Sequence, residues 1–195
     1  MSELLAFITV TAWPVIPLFW IPVHLFPPFF RKIQFFTYLL PLCVWLPLAY
    51  FLYQNKALLL QAQVEFPLII RGAGLLLLAG GTLLHLWTGK LLSLRGIIGL
   101  PEISGMIKGG IVRKGAFSIV RHPTYLAHTI MFSGVFFISG VIAAGITALL
   151  DFAVVHLFII PLEEKELLVR FGNGYRQYIH DVPRFFPQAG RKRKT

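Results

Sequence analysis

Acidic residues are scarce in this chain: eight Asp and Glu among 195 residues, against 18 Lys and Arg. Only 13% of residues are charged while 56% are hydrophobic, and the mean hydropathy is +0.74. This excludes an ordinary soluble domain, in which about a quarter of residues carry charge. A single cysteine, Cys43, excludes an intramolecular disulfide framework; it lies in an apolar run and reads as a buried, inert thiol. The histidines His24, His85, His128, His156 and His180 show no metal-ligand spacing such as His-Glu-x-x-His. Haem ligation by His85 with His128 or His156 is the one alternative left open. Gly109-Gly110 and Gly172-Asn173-Gly174 follow no strand, so no dinucleotide fingerprint is present. There is no internal repeat, and no low-complexity segment beyond Arg191-Lys192-Arg193-Lys194.

What the chain does have is long apolar runs. A membrane span needs about 20 predominantly apolar residues, and in lipid a helix satisfies its own backbone polar groups. Five runs qualify: Leu4–Phe26, Phe35–Tyr53, Pro67–Trp87, Tyr125–Ser139 and Gly140–Ile160. The first lacks the basic n-region and small-residue cleavage site of a signal peptide, so it reads as a span. Pro14, Pro17 and Pro22 predict that it is kinked or broken, and Gly72, Gly74, Gly80 and Gly81 in the third predict close helix approach. The expected fold is all-α, a polytopic membrane bundle of about five helices in one domain, 1–195. The N-terminal spans occupy 1–90, the remaining spans and their polar flanks 91–187 and a basic tail 188–195.

The net charge of +10 does not point to nucleic acid, because the basic residues flank apolar runs. With five spans, all but Lys56 and Arg71 of the 18 Lys and Arg fall on one side. The positive-inside rule makes that side cytoplasmic, and the Arg191–Lys194 run is expected to grip anionic lipid headgroups.

Two polar clusters bracket the last two spans. Arg121-His122-Pro123-Thr124-Tyr125 opens the fourth and Glu163-Glu164-Lys165-Glu166 follows the fifth; between them Asp151 is the only formal charge. A helical hairpin returns both clusters to the same membrane face. Pro123 suits a first helical turn, which leaves His122 extended beside a helix N-terminus that favours anions. The plainer reading is that Arg121 anchors the interface and His122 caps the helix. Adjacent carboxylates at a membrane boundary can hold an ammonium or sulfonium group; equally, they can form the solvated first turn of a cytoplasmic helix from Glu163 to about Ile179. Asp151 and His156 are intramembrane polar residues with a default functional claim.

Together these pieces resemble the isoprenylcysteine carboxyl methyltransferase and phospholipid methyltransferase family of integral membrane enzymes. The resemblance covers about 108–187, through Gly110-Ile111-Val112-Arg113-Lys114-Gly115-Ala116-Phe117, Arg121-His122-Pro123-Thr124-Tyr125, Glu163-Glu164, Phe171-Gly172-Asn173-Gly174-Tyr175-Arg176-Gln177-Tyr178 and Val182-Pro183-Arg184-Phe185-Phe186-Pro187. It implies S-adenosylmethionine (SAM) bound at the cytosolic face and a small or lipophilic acceptor arriving from the bilayer. It further implies that Gly109, Gly110, Ile111 and Val112 line the adenosine pocket, with Phe117 where the family usually has Tyr. His122, Pro123, Thr124 and Tyr125 would enclose the methionine and ribose. Glu163 would pair with the ammonium, supported by Glu164, and Glu102 would take a place often held by Gln. His122 and Glu164 are the candidates for a general base. Ile159 stands where the prenylcysteine enzymes carry an Arg for the acceptor's carboxylate, which favours a thiol, amine, phenol or lipid headgroup as acceptor. A membrane reductase of the sterol-reductase type, using NADPH, and a non-catalytic membrane protein are the alternatives.

Overall fold

The computed structural model describes residues 1–104 and 109–185. Lys108, Phe186-Pro187 and the basic tail fall outside these residues, and with them the tail's expected grip on anionic lipid. Among the described residues the fold is all-α, with one isolated β-bridge between Gln63 and Val141.

The first crossing is α1 (Ser2–Ala12) and α2 (Val15–Leu25), broken at Trp13-Pro14 as its prolines predict. After the short α3 (Pro27–Ile33), α4 (Leu39–Gln54) returns, and α5 (Lys56–Gln61) turns the chain. The third crossing, α6 (Leu68–Ile97), runs well past the expected end at Trp87. Leu91, Leu92 and Leu94 prolong its apolar run, but Ser93, at φ 62° and ψ 166°, interrupts the helical geometry. The short α7 (Leu100–Ile103) follows; then come α8 (Pro123–Ser139) and α9 (Ile142–Val154), joined through a wide turn at Val155–Ile159 to α10 (Ile160–Phe171). Finally, α11 (Asn173–Asp181) folds back beneath α10.

Among the described residues, four stretches are long and apolar enough to cross a membrane: Ser2–Leu25, Pro27–Gln54, Leu68–Ile103 and Ile142–Phe171. The fifth apolar helix, α8, has 17 residues, the lower limit for a span. Cys43 is exposed on the outer face of α4, not buried: an apolar run in a membrane helix has a lipid side as well as a core side.

Close approach of α6 and α8 sets the frame for the site. A Cβ on Gly134 would lie 2.6 Å from the Leu78 backbone nitrogen, and one on Gly74 would lie 2.8 Å from the Phe137 Cβ. Gly72 and Gly80 face open space instead, so only two of the four glycines noted in the sequence, Gly74 and Gly81, belong to the seam. Gly134→Val should therefore lower the thermal midpoint in detergent, at a cost of about 1–3 kcal/mol from overpacking. Gly80→Ala should leave the midpoint unchanged or raise it; equal effects of the two substitutions would refute this seam.

At the end remote from the site, α8 and α9 turn through Gly140, at φ 70°. The Val64 N–H donates to the Gly140 carbonyl at 2.8 Å, and the Ile142 N–H donates to the Ala62 carbonyl at 2.9 Å. Asp151 pins the middle of the bundle, accepting hydrogen bonds from Trp13 Nε1 (3.2 Å) and Thr129 Oγ1 (2.8 Å). His156 stacks on Phe152 with ring centroids 5.6 Å apart. Asp151 thus ties α1, α8 and α9 together, and neither of these intramembrane polar residues lines the cavity described next.

Candidate active site

The α8–α9 hairpin does return both polar clusters to one end. His122, extended before Pro123 at φ −122° and ψ 56°, sits at the start of α8. Its Nδ1 lies 3.6 Å from Glu163 Oε2, and its Nε2 lies 3.1 Å from Glu164 Oε1. The two adjacent carboxylates point about 100° apart around α10 and have different surroundings.

Glu164 is enclosed by cations. Arg121 donates to its Oε1 from Nε (3.2 Å) and Nη2 (3.0 Å), and Arg184 donates to Oε2 at 2.8 Å. Arg121 also donates to the carbonyls of Ile179, at 3.0 Å, and Val182. Its backbone N–H bonds the Pro183 carbonyl at 2.8 Å. One buried guanidinium therefore ties the mouth of α8, α10 and the segment after α11 together.

Glu163 instead faces a cavity of about 540 Å³. Its Oε2 is buried and has no hydrogen-bond partner among the described residues. The same holds for Glu102 Oε2 and Thr124 Oγ1, both on residues of the cavity wall. Glu102 is held through its other oxygen by Arg170 Nη2 at 3.1 Å. Arg170 lies near Glu166, which His24 Nδ1 approaches to 2.7 Å and Arg31 to 3.0 Å. The N-terminal spans thereby brace the acidic face of α10.

Aromatic and backbone groups supply the remaining walls. Gly109, Gly110, Ile111, Val112 and Phe117 line one side, with Phe171, Tyr175 and Tyr178 opposite α8. The Tyr178 hydroxyl donates to the Phe117 carbonyl at 2.7 Å. Burial pushes both phenols up from their ordinary range; for Tyr175 the charges of Glu163 and Glu164 add to it. Both hydroxyls are therefore donors at neutral pH.

Of the residues picked out from the sequence, Glu102, Gly109, Gly110, Ile111, Val112, Phe117, His122, Thr124, Tyr125 and Glu163 line this cavity. Glu164 does not, and neither does Pro123, which borders a smaller apolar pocket with Leu84, Trp87 and Leu126. Sequence reasoning gave no place in the wall to Trp20, Arg170 or Tyr175 and raised His85 with His128 only as haem ligands; all five line it. One signal was available: Glu163, Glu166 and Arg170 share a helix face by their spacing. For His85 and His128 there was none, because they sit on separate helices and meet only in the fold. No metal-binding group of three or more His, Cys, Asp or Glu occurs among the described residues.

These features define a helical membrane protein with a cofactor-sized, acid-lined cavity at one end. A family model described as phospholipid methyltransferase matches residues 69–174. That is more than half of the chain, which therefore belongs to this family of membrane methyltransferases. The match runs from α6 into α11, so Trp20, His24 and Arg31 lie outside it. Comparison with curated proteins and with solved structures returned no match.

Proposed function

We propose that this chain transfers a methyl group from SAM to a small or lipophilic acceptor that reaches the cavity from the bilayer. The observation that carries this is the buried Glu163 carboxylate oxygen with no hydrogen-bond partner, facing a cavity that otherwise has room for a ligand. A carboxylate left that way costs several kcal/mol unless a cation or donor meets it. At about 540 Å³ the cavity is within the range of roughly 300–1,000 Å³ typical of small-molecule sites.

The residues present fit SAM group by group. Glu163 would take its ammonium; Thr124 and the first N–H groups of α8 would take its carboxylate. Phe117, Tyr175 and the Gly109–Val112 backbone would hold the adenosine, with Glu102 Oε2 available to its hydroxyls or amine. When bound, the cofactor supplies an electrophilic methyl group on a positive sulfur. The chain's part is orientation and exclusion of water, which supply much of the rate in such a displacement. Glu164 acts through His122 and Arg121, holding the mouth of α8 in place. The cavity end faces the cytoplasm in this reading, since it carries the loops rich in Lys and Arg.

Isothermal titration of the purified protein in detergent tests the reading. SAM should give saturable binding and NADPH none. Binding of NADPH without SAM would replace the methyltransferase reading with a reductase one.

A further inference from the structure

Any acceptor that carries a proton must lose it, and neither candidate base read from the sequence is placed to receive it. His122 has a carboxylate beside each ring nitrogen, and Glu164 is enclosed by Arg121, Arg184 and His122 outside the cavity wall. Deeper along the cavity are two imidazoles with no such engagement. His85 on α6 and His128 on α8 both line it, with ring centroids 4.8 Å apart and planes tilted by 40°. The Nδ1 atoms of both are buried and have no hydrogen-bond partner among the described residues.

The two histidines are reached along one face of α8. His122, Tyr125 and His128 form a ladder with centroid spacings of 5.9 and 6.4 Å. Six residues of helix put His128 about 9 Å deeper than His122. An unpartnered pair of imidazoles at that depth has a cost without an occupant and a use with one. Neutral imidazole is both acceptor and donor, so one ring can take a proton while the other passes it on. Ile159 is fully buried among Tyr125, Val155 and Ile160 and does not line the cavity, and of the guanidiniums that do, Arg121 is held by Glu164 and Arg170 by Glu102.

We infer that His85 and His128 form the acceptor subsite, that the acceptor's reacting group is a protic nucleophile, an O–H or S–H on an apolar body, and that His128 takes its proton. This rests on the methyltransferase reading above. A lone pair of the acceptor O or S forms the new bond to the methyl carbon as the carbon–sulfur bond breaks. The bonding pair stays on the sulfur, now a neutral thioether, and the acceptor proton moves to His128.

The test uses the full chain in detergent with methyl-labelled SAM and three probes: 4-octylphenol, octanethiol and octanoate. The wild type should methylate the phenol, the thiol or both, and not octanoate. His128→Gln should lower kcat about 100-fold or more, the scale of a lost general base, while the Kd for SAM stays within about threefold. His85→Gln should reduce kcat less. Independently of turnover, 4-octylphenol added to protein saturated with S-adenosylhomocysteine should shift the ¹⁵N imidazole resonances of His85 and His128. Those resonances are identified by their absence in the two variants. Full turnover in His128→Gln, preferred methylation of octanoate, or unmoved imidazole resonances would each overturn the subsite. If the wild type binds no SAM, the methyltransferase reading itself fails. If SAM binds and the histidines prove indifferent, only the subsite is lost.

Discussion

Glu163→Gln weakens SAM binding by roughly 30- to 1,000-fold, the equivalent of about 2–4 kcal/mol for truncating one side of a buried charge pair. The substitution keeps the size and shape of the side chain and removes only its charge. Among the described residues Oε2 has no hydrogen-bond partner to lose, and His122 Nδ1 is 3.6 Å away, too far for a hydrogen bond. Thermal stability without ligand should therefore hold or improve, because a buried carboxylate has become neutral. Titration calorimetry of SAM against wild type and variant, with melting curves beside it, reads both quantities. An unchanged Kd would mean that the ammonium is held elsewhere, or that this cavity takes another ligand.

Glu164→Leu has the opposite signature. Arg121, His122 and Arg184 converge on this carboxylate, and the Arg121 side chain is only 8% exposed. Removing the carboxylate leaves the buried Arg121 guanidinium without its counter-charge, which costs about 3–5 kcal/mol. The thermal midpoint should fall sharply, with loss of SAM affinity following from the loosened mouth of α8. Pairing it with Arg121→Met should recover part of the stability, since replacing both members of a buried pair by apolar groups is far less costly than removing one. Were Glu164 also the general base, Glu164→Gln would lose kcat beyond what its lost stability and SAM affinity account for.

The membrane-length helices were legible because hydropathy is a property of whole segments. The hairpin was legible for a related reason: with Asp151 alone interrupting the apolar stretch, two polar clusters had to surface together. Finer assignments were not. Glu163 and Glu164 are neighbours in sequence, and nothing local says which of them turns to the cavity and which to Arg121. Pro123 precedes two wall residues, yet the helical turn points it at Leu84 and Trp87. The break at Ser93 lies in a leucine-rich stretch with no proline to announce it. Histidines 85 and 128 come together only because Gly74, Gly81 and Gly134 draw α6 and α8 close, a tertiary effect with no signature at the histidines themselves.

The tie between Arg121 and the carbonyls of Ile179, Val182 and Pro183 bears on the order of assembly. Those carbonyls follow α8, α9 and α10 in the chain, so the tie at the mouth of α8 can close only once that later segment has docked.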